Sequence, residues 1–264
     1  MKAGSIRIGI GGWSFEPWRE TFYPKGLPQR RELEYASRHL TSIEINATYY
    51  GSQKPESFAK WRKETPDDFV FALKGPRFAT NRKKLGESGE SIERFLASGI
   101  LELGPKLGPI NWQFMATKRF DPEDFEAFLD LLPASIDGLP LRHAVEVRHD
   151  SFRTPEFIAL ARKFGVAIVV AGDSAFPQIA DPTAPFVYAR IMGAAEDEAL
   201  GYAPARLDLW AERAKAWAAG EHPDGLAYVG AKADKRARDV FLYVISGAKE
   251  RNPTAAMALI ERMR

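Results

Sequence analysis

The chain has 264 residues, 45% of them hydrophobic, with a formal net charge of +2 at pH 7. That is enough apolar material for one large domain, and no bulk charge that would demand a polyanionic partner. There is no cysteine, which excludes disulfides, thiolate nucleophiles, Cys-ligated zinc and iron–sulfur clusters.

The N-terminal MKAGSIRIGIGG lacks the apolar run of a signal peptide, and no stretch reaches the length of a membrane span. The expectation is a cytoplasmic protein with no membrane partner. Short β-branched or aromatic runs then predict strands at 6–10, 42–46, 69–74, 110–114, 144–148, 166–171, 186–191 and 240–245. Helices are predicted between them. Pro55 opens ESFAKWRKE, and Asp121-Pro122, Thr154-Pro155 and Asn252-Pro253 each pair a polar cap with a proline at the first helical position. Weaker helical patterns cover 30–40, 89–101 and 204–219. Residues 172–185 hold too many breakers for a helix, and 220–238 is a long polar connection. The alternation predicts one α/β domain over 1–264. It is a TIM-type (β/α)8 barrel, irregular after strand six and before strand eight.

Side chains alternate along a strand, so parity sorts them by face. In SIEIN, Ile43 and Ile45 oppose Glu44 and Asn46. AVEVR sets Val145 and Val147 against Glu146 and Arg148, and FVYARI sets Val187, Ala189 and Ile191 against Tyr188 and Arg190. The helices bring apolar stripes, so the polar parity should point into the barrel: Glu44, Asn46, Lys74, Gln113, Glu146, Arg148, Tyr188 and Arg190. Charges there are tolerable near the strand C-termini, where the barrel opens to water and this fold builds its sites. The loops that follow those strand ends add Trp13, Tyr49, Arg77, His149 and Asp173.

These residues admit several chemistries. Glu44 and Glu146 could form an acid/base pair of a hydrolase or isomerase, including a glycoside-hydrolase-like pair, or serve as fixed counter-ions for Lys74, Arg148 and Arg190. Glu44, Glu146, His149 and Asp173 could hold a single Mg2+ or Mn2+. His39, His143 and His222 fall away from the strand C-termini, which speaks against a histidine-rich zinc site. Lys74, Arg77, Arg148 and Arg190 could hold an anion. Residues 74–84 carry Lys74, Arg77, Arg82, Lys83 and Lys84 with no acid among them. Trp13, Trp18, Tyr49, Tyr50 and Tyr188 could stack a sugar or base, with Asn46 and Gln113 adding polar contacts, although Trp18 and Tyr23 also fit a core role at the barrel edge. GIGGWS lacks the third glycine of a dinucleotide loop, and no GxSxG occurs. The reading that joins most of these features is an enzyme or binding protein for an anionic, phosphate-bearing small molecule or nucleic-acid fragment. The alternatives are a non-catalytic nucleic-acid or protein adaptor and a glycoside hydrolase.

The stretches GIGGWSFEPWRETFYP (9–24), EINATYY (44–50), HAVEVRHDSF (143–152), VVAGD (169–173) and PFVYARIMG (185–193), with the run from Trp61 to Arg77, resemble the domain-of-unknown-function 72 family, also called YecE-like. The resemblance implies a TIM barrel and no established reaction. It also implies polar groups that this chain lacks. Gln113-Phe114-Met115-Ala116 stands where the family has Q-L-P-P. Arg190-Ile191-Met192-Gly193 stands where it has R-x-H-G, and Ile245-Ser246-Gly247-Ala248 where it has an Asn-Asn-Asp-like run. The metal reading weakens most.

Overall fold

The computed structural model describes residues 3–264, so Met1 and Lys2 of the N-terminal stretch lie outside the described residues. Eight strands form a closed barrel: β1 (Ile6–Gly11), β2 (Ser42–Ile45), β3 (Val70–Lys74), β4 (Leu107–Gln113), β5 (His143–Glu146), β6 (Ala167–Gly172), β7 (Phe186–Ile191) and β8 (Asp239–Val244). Each pairs in parallel with its sequence neighbours, and β1 closes on β8 with Ile8 opposite Leu242. All eight predicted strands are present, within a few residues of their expected bounds.

The helices are α1 (Glu32–His39), α2 (Pro55–Glu64), α3 (Gly89–Leu96), α4 (Pro122–Asp130), α5 (Pro155–Lys163), α6 (Pro204–Ala218) and α7 (Asn252–Glu261). Asp121 accepts from the amide of Asp124 at 3.2 Å and Thr154 from that of Phe157 at 3.2 Å, the capping bonds their sequence promised. Asn252 is a correction. Its backbone is already helical (φ −56°, ψ −43°), and no side-chain cap bond forms at this end. The short turn at Lys249–Arg251 is itself helical and runs directly into α7, so Asn252 is its first residue and not its cap.

No helix follows β6, as the breakers foretold. That segment and the irregular 220–238 stretch brace each other instead. Asp181 accepts from the amides of Val229 (2.7 Å) and Gly230 (2.8 Å), and buried Arg238 donates to the carbonyls of Ala184, Arg236 and Asp234. A two-stranded turn at Ser135–Ile136 and Leu139–Pro140 was not foreseen.

Two packed layers result. Ile43, Ile45, Phe71, Leu73, Val145, Val147, Val187, Ala189 and Ile191 join the helices' apolar faces in the outer core. The interior of the barrel holds a smaller cluster including Ala72, Ala144, Val169, Phe186, Tyr188, Phe241 and Tyr243. Gly9 on β1 has no alternative residue: a Cβ there would lie 1.8 Å from the Ser42 carbonyl oxygen. Among the described residues no helix is long and apolar enough to cross a membrane.

Candidate functional site

Inward-facing positions grow more polar toward the strand C-termini. On β7 the sequence runs Phe186, Tyr188, Arg190; on β3, Val70, Ala72, Lys74; on β2, Ser42 then Glu44. The last members of these rows meet. Arg190 donates from Nη1 to Glu146 Oε2 at 2.6 Å and from Nη2 to Glu44 Oε1 at 3.0 Å. Tyr188 donates to Glu44 Oε2 at 2.5 Å. Asn111 Nδ2 lies 3.4 Å from Glu44 Oε2 and 3.2 Å from Glu146 Oε2. Arg148 grips Glu146 Oε1 through Nε (2.8 Å) and Nη2 (2.5 Å).

This network is drier than the sequence suggested. Glu44 and Glu146 are each 0% exposed and Arg190 is 3% exposed, so pairing, not water, sustains the charges. Burial works against ionising Glu146, but Arg190, Arg148 and Lys74 outweigh it and hold the carboxyl down at about 2. Burial likewise opposes the charge on Arg190, and Glu146 and Glu44 reverse that, holding the guanidinium above its ordinary range. Burial raises the Tyr188 phenol well above its usual value, with Glu44 adding to it. At neutral pH Glu146 is therefore a carboxylate with both oxygens occupied. The Arg190 guanidinium bridges the two glutamates, in the gap a glycosidic substrate would need.

Lys74 differs from the other cations. It is 6% exposed, donates to the neutral Gln113 Oε1 at 2.6 Å and lies 4.4 Å from the centre of the Tyr49 ring. Burial, reinforced by Arg190 and Arg148 and only partly offset by Glu44 and Glu146, pushes its ammonium down to about 8. Three cations and two carboxylates share this floor, and Lys74 is the cation without a carboxylate in contact.

Several expected members are not where strand parity put them. Asn46 and Arg148 lie beyond the ends of β2 and β5. Arg148 folds back onto Glu146 with its guanidinium 4.2 Å from the Phe176 ring, while the Asn46 amide fills space beside Gly11. Trp13 is half-buried and packs edge-on to Trp61 (5.3 Å) and Phe71 (6.5 Å), both members of the outer layer. Tyr188 is buried under Glu44 and is closed to a stacked ligand. Asp173 turns to α6, accepting from Arg206 and from Trp210 Nε1 (2.7 Å). His149 Nδ1 is taken up with Ser151. Arg77 is exposed on a helical turn at Arg77–Thr80.

The four proposed metal ligands are thus dispersed or neutralised, and among the described residues no group of three or more His, Asp or Glu side chains is disposed to hold a metal ion. His143 is buried at the start of β5, accepts from Trp112 Nε1 at 3.1 Å, and is kept below its ordinary range by burial.

Two participants escaped sequence reading. Asn111 shares the polar parity of Gln113, but it lies two residues before the C-terminal end of β4, below the level where the site was expected. Tyr243 lies in a strand apolar on both faces, so alternation could not sort it; its hydroxyl meets Ser42 Oγ at 2.7 Å, below Tyr188.

The profile of the family described as "Protein of unknown function DUF72" matches residues 7–264. The chain belongs to the DUF72 family. It is 33% identical to the UPF0759 protein YecE of Escherichia coli K12 over 150 residues, 56% of this chain and 50% of that protein. The chain thus aligns with about half the length of this curated relative. The fold is similar to that of a DUF72 family protein from Thermotoga maritima (TM-score 0.74, 22% identity, 97% of this chain and 98% of that one). It is also similar to one from Enterococcus faecalis (TM-score 0.71, 18% identity, 98% and 95%). The DUF72 departures noted in the sequence all fall at this end of the barrel. Met115 is 44% exposed, Met192 is buried beside the end of β7, and Ser246-Gly247 form a positive-φ turn.

Proposed function

We propose that this DUF72 barrel binds an anionic, phosphate-bearing ligand over the C-terminal end of its strands, with Lys74 and Arg148 as the contacting cations. The observation that carries the reading is Lys74: a buried ammonium whose hydrogen-bond partner is a neutral amide, beside two arginines. Burying a charge without a counter-ion is costly, and an incoming anion would relieve that cost. Arg148 is the partly exposed arginine of the network, and a guanidinium is well shaped for phosphate oxygens.

In this reading Glu44 and Glu146 are counter-ions that hold Arg190 and Arg148 in place. The Glu146 carboxyl, held at about 2, is a weak general base and is not a general acid at neutral pH. Calorimetry with inorganic phosphate, pyrophosphate and sugar phosphates tests the assignment. Lys74→Met and Arg148→Met are each expected to weaken binding at least tenfold, the usual scale for one charge-assisted contact of about 1.5–3 kcal/mol. Unchanged affinity in both variants would overturn it.

A further inference from the structure

Beside the charged floor lies a second set of features that the small-anion reading leaves unused. Tyr50 (65% exposed), Phe78 (60%) and Met115 stand on the loops after β2, β3 and β4, and are three of the four large apolar side chains exposed among the described residues. The Arg77 guanidinium lies over two of them, 5.9 Å from the Tyr50 ring centre and 5.4 Å from that of Phe78. Next to them is a cavity of about 290 Å³ whose lining includes Thr48, Phe78, Arg82, Glu90, Ser91 and Arg94. Glu90 is bound to Arg94 at 2.5 Å, and among the described residues the Arg82 side chain has one hydrogen-bond partner, Ser91 Oγ at 3.4 Å. The ion pairs of this region are Lys60–Glu64, Arg94–Glu90 and Lys118–Asp124. Among the described residues Arg77, Arg82, Lys83 and Lys84 form no salt bridge. The face is continuous with the floor: Tyr50 packs edge-on to Tyr49 at 5.1 Å, and Tyr49 covers Lys74.

We propose that this face binds single-stranded nucleic acid, with bases stacked on Tyr50 and Phe78 and phosphates on Arg77, Arg82, Lys83 and Lys84. The strand leads past Tyr49 toward Lys74, and this last step rests on the anion reading above. Solvent-exposed aromatic rings alternating with unpaired cations are what a strand with unstacked bases requires, and a paired duplex cannot offer its base faces to them. Protein interfaces share the enrichment in arginine, aromatic residues and methionine but are depleted of lysine, and here Lys83 and Lys84 extend a run over 74–84 that carries no acidic residue.

The test is fluorescence anisotropy on the full chain, using labelled oligothymidylate and oligouridylate of about ten nucleotides, within the usual single-strand site sizes, against a duplex of similar length. Single strands are expected to bind more tightly than the duplex and to weaken steeply with added salt. Tyr50→Ala and Phe78→Ala are each expected to cost about tenfold, the effect of one lost base–aromatic stack. Both side chains are exposed, so these variants should keep the melting temperature of the parent. Neither should alter inorganic phosphate binding, whereas Lys74→Met should weaken phosphate binding and leave most oligonucleotide affinity. The DNA and RNA probes separate the two kinds of strand. Equal binding of duplex and single strand, or aromatic variants with undiminished affinity, overturns the proposal while leaving the Lys74 assignment standing. Absence of oligonucleotide binding alongside intact phosphate binding also overturns it, and would leave the face to a protein partner.

Discussion

Arg190 ties together two carboxylates that would otherwise be buried without a shared counter-ion. Arg190→Met removes the bridge and leaves Glu44 and Glu146 desolvated, so a loss of about 3–5 kcal/mol is expected in denaturant titrations, the scale for breaking a buried ion pair. Tyr188→Phe removes one hydrogen bond to a buried carboxylate and should cost about 1.5–3 kcal/mol. Glu146 also sets an acid limit. Its folded value of about 2 lies below the ordinary 4.5, so the stability it contributes is fully present above pH 4.5 and is lost as the pH falls through 2. Glu146→Gln should flatten the stability profile across that window, as followed by thermal melts in buffers between those values. A profile as steep as the parent's would mean that other groups dominate acid unfolding.

Among the elements, the proline-led helices were legible because their start signals are local. Asp121 and Thr154 form their capping bonds within three residues of sequence. Asn252 carries the same dipeptide signal and fails, because the preceding turn at Lys249–Arg251 has already set a helical backbone. The contrast is measurable. Thr154→Ala should cost about 1 kcal/mol, whereas Asn252→Ala loses no capping bond and removes a buried oxygen that has no partner, so it should cost less than Thr154→Ala in the same denaturant titration. Strand parity was legible for the same local reason and placed Glu44, Lys74, Gln113, Glu146, Tyr188 and Arg190 correctly inside the barrel. It overran the ends of β2 and β5, which is why Asn46 and Arg148 were put on strands. What parity cannot give is partnership across the chain. Asp173 meets Arg206 and Trp210, both far along the sequence on α6, and nothing near Trp13 in sequence announces Trp61.

At the scale of the molecule, the barrel resolves its polarity along its axis. Aromatic and small residues fill the interior, and charge gathers at the strand C-termini as a layer with one cation in excess. That excess has a pH signature opposite to the acid limit. The Lys74 ammonium, at about 8 against an ordinary 10.5, binds its proton less readily folded than unfolded. Its cost is full below pH 8, and its contribution to stability rises with pH from 8 to 10.5. Anion affinity should move the other way, falling as the pH climbs through 8 and Lys74 loses its charge. The direct measurement is an NMR titration of the Lys74 side chain, with and without saturating sulfate, an anion that does not itself titrate in this range. A midpoint near 8 in the free protein, moving upward with sulfate, is the predicted result. A midpoint near 10.5 in the free protein, or one that sulfate leaves unmoved, would contradict the assignment of Lys74 as the cation that receives the ligand.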